Sequence, residues 1–156
     1  MGKAEEKLQR LVSADAIMIA TMAKAVKEKY GEEGLAAQRN ALEETFRKII
    51  PSIARAAGVR VGDGDVTDWA KVEKFICDAS DMKNEIEVTP RRGVLRVSTC
   101  PYLKQYQRTF PQFCTDVLIG MERAIAGTIN PKMKVHAEKY MVLGDPICEI
   151  VCELEE

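Results

Sequence analysis

Between Ala4 and Tyr30, apolar residues return at Leu8, Leu11, Val12, Ala16, Ile19, Met22, Ala23 and Val26. This three-and-four spacing predicts one long amphipathic helix, closed by Gly31. A second run, from about Glu33 to Ala57, carries Leu35, Leu42, Phe46, Ile49, Ile50 and Ile53. Pro51 is expected to kink or divide it, and Gly58 to stop it. Val61 to Asp65 reads as a Gly/Asp-rich turn, after which Thr67 is expected to cap a third helix ending near Ala79.

The pattern then changes period. Asn84 to Val88 and Gly93 to Ser98 alternate on either side of Pro90, Arg91 and Arg92, the signature of a β-hairpin. Thr99, Cys100 and Pro101 return the chain to a short helix through Gln107, with the residue before proline as its cap. Pro111 opens a further helix whose stripe is Phe113, Val117, Leu118, Met121, Ala124 and Ile125, ending at Gly127. Lys132 to Leu143 and Ile147 to Leu154 alternate about Gly144, Asp145 and Pro146, which predicts a second hairpin. If that three-residue loop sets the register, Val142 faces Cys148, Tyr140 faces Ile150, Glu138 faces Cys152 and His136 faces Leu154. One face then carries His136, Glu138, Tyr140, Cys148 and Cys152. The expected fold class is α+β: a helical N-terminal half packed on an antiparallel sheet of two β-hairpins with a long helix between them, in a single domain, 1–156.

Composition narrows the function classes. The chain has 156 residues, 46% of them hydrophobic, enough to bury one core without disulfides or metal. Its 23 basic and 24 acidic residues nearly cancel, so no broad field attracts phosphate backbones or anionic lipid, and nucleic acid is not an expected partner. The longest apolar stretch, Ala16 to Ala23, falls far short of the roughly 18 residues that suggest a membrane span. The N-terminus lacks the layout of a secretory signal, and five cysteines spread from Cys77 to Cys152 do not suggest a disulfide framework. A cytoplasmic protein with reduced thiols or a metal site is expected. No phosphate-cradling glycine loop or haem-attachment spacing is present, so no nucleotide, flavin or haem is expected.

The candidate chemistry centres on cysteine. Cys100 sits where a helix begins and Cys114 in the first turn of another, where free N–H groups and the helix dipole lower a thiol pKa. The competing reading is that both are small buried hydrophobes. Cys148 and Cys152 on one strand face, with His136 and Glu138 across the hairpin, offer thiolate, imidazole and carboxylate to a zinc-like ion, although short CxxC pairs are absent; the competing reading is a core strand that contains cysteine. His136 is the only histidine, so imidazole acid–base work falls to it unless it is a solvated strand residue. Asp116 is positioned either to orient a base or simply to complement a helix dipole. Arg91 and Arg92 read as a hairpin tip. Met18 and Met22 belong to the core, a dimer seam or an apolar pocket.

These residues carry a resemblance. Val94 through Thr99, Cys100, Pro101 and Tyr102, then Phe113-Cys114-Thr115-Asp116, then Gly144-Asp145-Pro146-Ile147-Cys148, resemble the L-2-amino-thiazoline-4-carboxylic acid hydrolase family. Tyr30, Gly31 and Glu32 near the end of the first helix are also similar. The resemblance implies a hydrolase acting on a small cyclic amidine or related C–N bond, by attack of water or a thiolate on the amidine carbon between N and S. Cys100 or Cys114 would be the nucleophile, His136 or Asp116 the proton carrier, and Arg96 and Tyr140 would hold the substrate.

A second resemblance runs from Cys114 to Gly144-Asp145 and Cys148, which is similar to 4-vinyl-reductase-type ligand-binding domains of TRAPP-like fold. Some of those hold zinc with cysteines at the two matching positions, a third cysteine and a glutamate; this chain has Tyr140 and Ala137 at the last two, with Glu138 adjacent, so the resemblance implies at most a partial zinc or iron site of Cys114, Cys148 and His136 or Glu138. The alternative function is therefore a small-molecule sensor or carrier with an apolar pocket and no catalysis. A third reading is an interaction domain that forms a homodimer through its first helix.

Overall fold

The computed structural model describes residues 3–156, with side chains described at residues 7, 10 and 11–156, so Leu8 of the first stripe lies outside them. The first two predicted helices form one hydrogen-bonded run, α1 (Lys3–Ala56), interrupted at Gly31, whose φ of 63° and ψ of −148° lie in territory almost reserved for glycine. α1 is therefore two arms, residues 3–30 and 32–56. Pro51 does not divide the second arm, contrary to expectation; the helix continues through it, with Ile50 and Ala54 on either side fully buried.

α2 (Val66–Ala79) begins two residues earlier than expected, because Asp65 rather than Thr67 caps it. The Asp65 carboxylate accepts from the Asp68 N–H at 3.0 Å, while the Asp65 N–H donates back to the Asp68 carboxylate at 3.4 Å. The remaining elements are β1 (Asn84–Val88), β2 (Arg92–Val97), α3 (Leu103–Thr109), a π-helical turn (Phe113–Val117), α4 (Ile119–Ile129), β3 (Met133–Lys139), a 3-10 turn (Met141–Leu143) and β4 (Cys148–Leu154). The fold is α+β. The sheet order is β1-β2-β4-β3, antiparallel throughout, so the two hairpins join along the β2–β4 ladder.

The second hairpin has a different register from the one expected. His136 pairs with Val151 rather than Leu154, Ala137 with Ile150, and Lys139 with Glu149, with a bulge at Glu138. The cause is the connection, which is longer than a three-residue loop. Tyr140 leaves the strand, its N–H bound at 2.8 Å by the Asp145 carboxylate, and the 3-10 turn closes on left-handed Gly144 at φ 106°. Three residues are thus withdrawn from pairing. Cys148 and Cys152 face inward with Leu95, Val97 and Val135, whereas His136 and Glu138 face outward, so the shared face expected from the sequence is not formed.

α2 and α4 cover the inner face of the sheet. Trp69, Val72, Ile125 and Ile129 meet Leu95, Val97 and Cys152 there. α1 packs on α4, the π-helical turn and α3. A second cluster joins Ala16, Ala20, Ala23 and Leu35 of α1 to Tyr106, Phe110, Phe113 and Val142. Small alanines let the first arm approach closely. The outer face is charged: Glu149, 7% exposed, is held by Arg96 Nε at 2.6 Å and Lys139 Nζ at 2.9 Å.

Two acids lie inside. Glu73 on α2 and Glu122 on α4 are 2% and 9% exposed and face each other beside Cys77 and Cys152. Burial and the nearness of Glu122 push Glu73 well above the usual carboxylate range; burial also raises Glu122. Two carboxylates in a low-dielectric core cannot both ionise, so Glu73 keeps a proton and donates it to Glu122. Burial, with the same two acids, pushes Cys77 and Cys152 up to about 12.

Two outcomes follow. At Gly120 an added Cβ would come to 2.5 Å from the Arg39 carbonyl oxygen, so Gly120→Ala should destabilise the fold by about 1–3 kcal/mol in urea unfolding. A carboxyl raised in the folded state holds its proton after the unfolded chain has lost it. Stability therefore falls as pH rises above the unfolded value of 4.5, by at most about 1.4 kcal/mol per pH unit for each proton held. Glu73→Gln should flatten that decline in melting temperature; an unchanged slope would show that the pair does not hold a proton.

Candidate functional site

Three of the predicted site residues converge. Cys100 precedes α3, Cys114 lies in the π-helical turn, and Cys148 opens β4; all three are partly buried. Each is near enough that a charge on one would raise the pKa of another. The wall around them is aromatic. Tyr102 stacks on Tyr106 with ring centroids 5.9 Å apart, and Tyr106 meets Phe113 at 5.1 Å. Sulfur beside ring edges is a favourable contact. Tyr140 closes the group, its hydroxyl 3.5 Å from the Thr115 carbonyl.

Local folding explains each placement. The turn after Pro101 directs the N–H groups of Tyr102 and Leu103 at the Cys100 sulfur. The Leu118 N–H reaches back five residues to the Phe113 carbonyl at 2.9 Å, making the wide turn that carries Cys114. Such π-helical insertions recur at functional sites. The Met141 N–H donates to Cys148 Sγ at 3.4 Å, tying the 3-10 turn to the strand.

The electrostatics run opposite to the expectation of lowered thiol pKa values. Burial is the main cause and raises Cys100, Cys114 and Cys148 alike. Helix-terminal N–H groups do act on Cys100, in the expected direction, but desolvation outweighs them. Burial also raises Tyr106, and with Asp116 and the thiols it pushes Tyr140 up to about 12. The site in its resting state is therefore a cluster of neutral S–H and O–H groups.

Other candidates sit elsewhere. His136 is about half exposed on the outer face, 3.6 Å from Glu138, which also lies 3.7 Å from Arg92. Arg96, expected to hold substrate, is on that outer face too, bound to Glu87 at 2.9 Å and to Glu149. Asp116 lies within electrostatic reach of Tyr140. The metal set Cys114, Cys148, His136 and Glu138 is split by the thickness of the sheet. Among the described residues no three His, Cys, Asp or Glu side chains gather as ligands, so the donor set does not fit zinc or iron.

Sequence reasoning missed Tyr102 and Tyr106, the buried acids, and Arg39. The signal for the charged ones was present. Glu73 falls between Trp69 and Cys77, Glu122 between Leu118 and Ile125, and Arg39 between Leu35 and Leu42, each an ionisable residue on an apolar stripe. A separate cavity of about 340 Å³ opens beside α3, lined by Ile17, Lys104, Gln105, Arg108 and Thr109. Among the described residues no helix is long and apolar enough to cross a membrane.

Comparison with known proteins places this geometry. No curated protein matches the chain in sequence. Among solved structures it resembles the phenol-responsive sensory domain of the transcription activator PoxR, bound to phenol, with a TM-score of 0.63 and 10% identity over 89% of this chain and 74% of that one. It also resembles a trafficking protein particle complex subunit 3 from Naegleria fowleri covalently bound to palmitic acid, with a TM-score of 0.57 and 11% identity over 92% and 96% of the two chains. Those likenesses establish a shared fold. The sequence of residues 9–151 matches the L-2-amino-thiazoline-4-carboxylic acid hydrolase family, and the chain belongs to that family.

Proposed function

We propose that this chain binds a small ring compound against the wall formed by Cys100, Cys114, Cys148 and Tyr140. The observation that carries the reading is convergence: four separate segments deliver neutral thiols and phenolic rings to one half-buried place. Apolar walls with a few polar groups are what small-ligand sites require. Structural neighbours that hold phenol and palmitate support the same use of the fold.

A second reading, hydrolytic opening of a cyclic amidine, is supported by family membership. Within it Cys100 is the nucleophile, because the Tyr102 and Leu103 N–H groups would stabilise its thiolate once formed. Cys114 has no such donors. With Cys100 neutral at rest, a base must take its proton in the reaction, and Asp116 is the acid nearest to Tyr140 in electrostatic effect.

Native-state alkylation read by mass spectrometry tests both. Cys100 and Cys148 should react slowly at neutral pH and faster as pH rises beyond the ordinary thiol value of 9.0, while Cys77 and Cys152 stay unmodified. Saturating phenol should slow labelling of Cys100 and Cys148 at least tenfold; no protection by phenol or related rings would sink the binding reading. For the second reading, Cys100→Ser should lower turnover of 2-amino-thiazoline-4-carboxylate by about a hundredfold or more at unchanged melting temperature, roughly 2.7 kcal/mol of transition-state stabilisation. Full activity in that variant would remove Cys100 as nucleophile.

A further inference from the structure

The cavity of about 340 Å³ beside α3 shares no lining residue with the thiol site. Ile17 on the first arm of α1 and Lys104, Gln105, Arg108 and Thr109 on α3 form its described lining. Small-molecule sites span roughly 300–1,000 Å³, so the space is enough for a compact ligand. On α3 the lining residues are two pairs one turn apart, 104 with 108 and 105 with 109, and so share a face. Tyr106, with Tyr102 and Phe110 at the helix ends, occupies another face and packs into the aromatic cluster.

The charge on the cavity face is unbalanced. Elsewhere lysines on helices meet an acid one turn away, as Lys48 meets Glu44 and Lys74 meets Asp78. α3, with the sequence LKQYQRT, contains no acid, and neither Lys104 nor Arg108 pairs with one among the described residues. Two like charges four residues apart on a helix repel each other, and an anion between them removes that cost. No described residue of the lining is acidic, so the counter-charge has to come from outside the chain. Gln105 leaves a second vacancy: its Nε2 donates to Ser13 Oγ at 2.8 Å, while its carbonyl oxygen is buried without a partner. A buried acceptor without a donor is costly, and a ligand hydroxyl supplies one.

We propose that this cavity is a second ligand site, which takes the phosphate monoester of a small hydroxylated compound. The phosphate carries about −1.5 to −2 charges at pH 7 and so matches two cations, which a single carboxylate does not. Arg108 supplies a planar fork of donors, Lys104 a point charge and Thr109 a hydroxyl to its three oxygens, and Gln105 accepts from the ligand's hydroxyl. The inference is independent of the ring-binding reading, because the two sites use different faces of α3.

Calorimetric titration with glycerol 3-phosphate, inorganic phosphate and acetate tests it. Glycerol 3-phosphate should bind about tenfold more tightly than inorganic phosphate, and acetate more weakly than either. Lys104→Gln and Arg108→Gln should each weaken glycerol 3-phosphate binding by about tenfold or more at unchanged melting temperature, since both side chains are exposed. Arg123→Gln, an exposed change on α4 outside the cavity, should leave it unaltered. Binding that survives in both cavity variants, or that falls equally in Arg123→Gln, overturns the site. Acetate or inorganic phosphate bound as tightly as the ester overturns the ligand class. Binding to phosphatidate vesicles with none to soluble glycerol 3-phosphate overturns the free ester and moves the source of the phosphate to a lipid headgroup.

Discussion

The approach of α1 to α4 at Gly120 is the contact on which the rest of the molecule depends. With no side chain at Gly120, the Arg39 backbone seats directly on the first turn of α4, closer than any Cβ would permit. That contact fixes the height of the second arm of α1 above the sheet. It also places Arg39 against the π-helical turn that leads into α4 and carries Cys114. Gly31 then turns the first arm so that Ala16, Ala20 and Ala23 come down on Tyr106 and Phe113. Sheet, inner helices and two-armed outer helix are stacked by these glycine and alanine positions, where backbones approach without side-chain volume.

Polar groups inside the stack are arranged by what can neutralise them. The inner acids, Glu73 and Glu122, share a proton, and burial, with the nearness of those acids, holds Cys77 and Cys152 as thiols. On the outer face Glu149 is paired with two cations instead, Lys139 and Arg96, which lower its pKa from the ordinary carboxylate value. Glutamate pKa values thus shift in opposite directions on the two sides of the sheet, up for Glu73 and Glu122 on the covering helices and down for Glu149 on β4, because one side offers burial and the other offers charge.

Sequence shows membership in the hydrolase family, and likeness to phenol-bound and palmitate-bound domains shows the shared fold. A fold shared at 10–11% identity preserves the route of the chain, not the side chains. In this chain the thiol site holds a cysteine on each of three segments, with an aromatic wall beside them. The proposed binding of a flat ring draws on that combination, since thiols and phenol faces offer dispersion and weak hydrogen bonds without the desolvation that full charges demand.

Much of this was legible along the chain. Apolar spacing marked the helices, and alternation marked both hairpins, because period 3.6 and period 2 are local properties of a backbone packed on one side. Cys100, Cys114 and Cys148 were legible as candidates because each begins or opens an element. The register of the second hairpin was not, since the Asp145 carboxylate takes the Tyr140 N–H out of the ladder and so lengthens the connection beyond the three residues the sequence suggests. That one contact sends His136 and Glu138 away from the cysteines. Thiol protonation was equally hidden: a helix terminus is visible in sequence, but desolvation belongs to the packed molecule and outweighs it. The sequence by itself determined which elements form and which residues can do chemistry; tertiary packing alone decided which of them meet and in what charge state, because register and burial arise between segments and not within them.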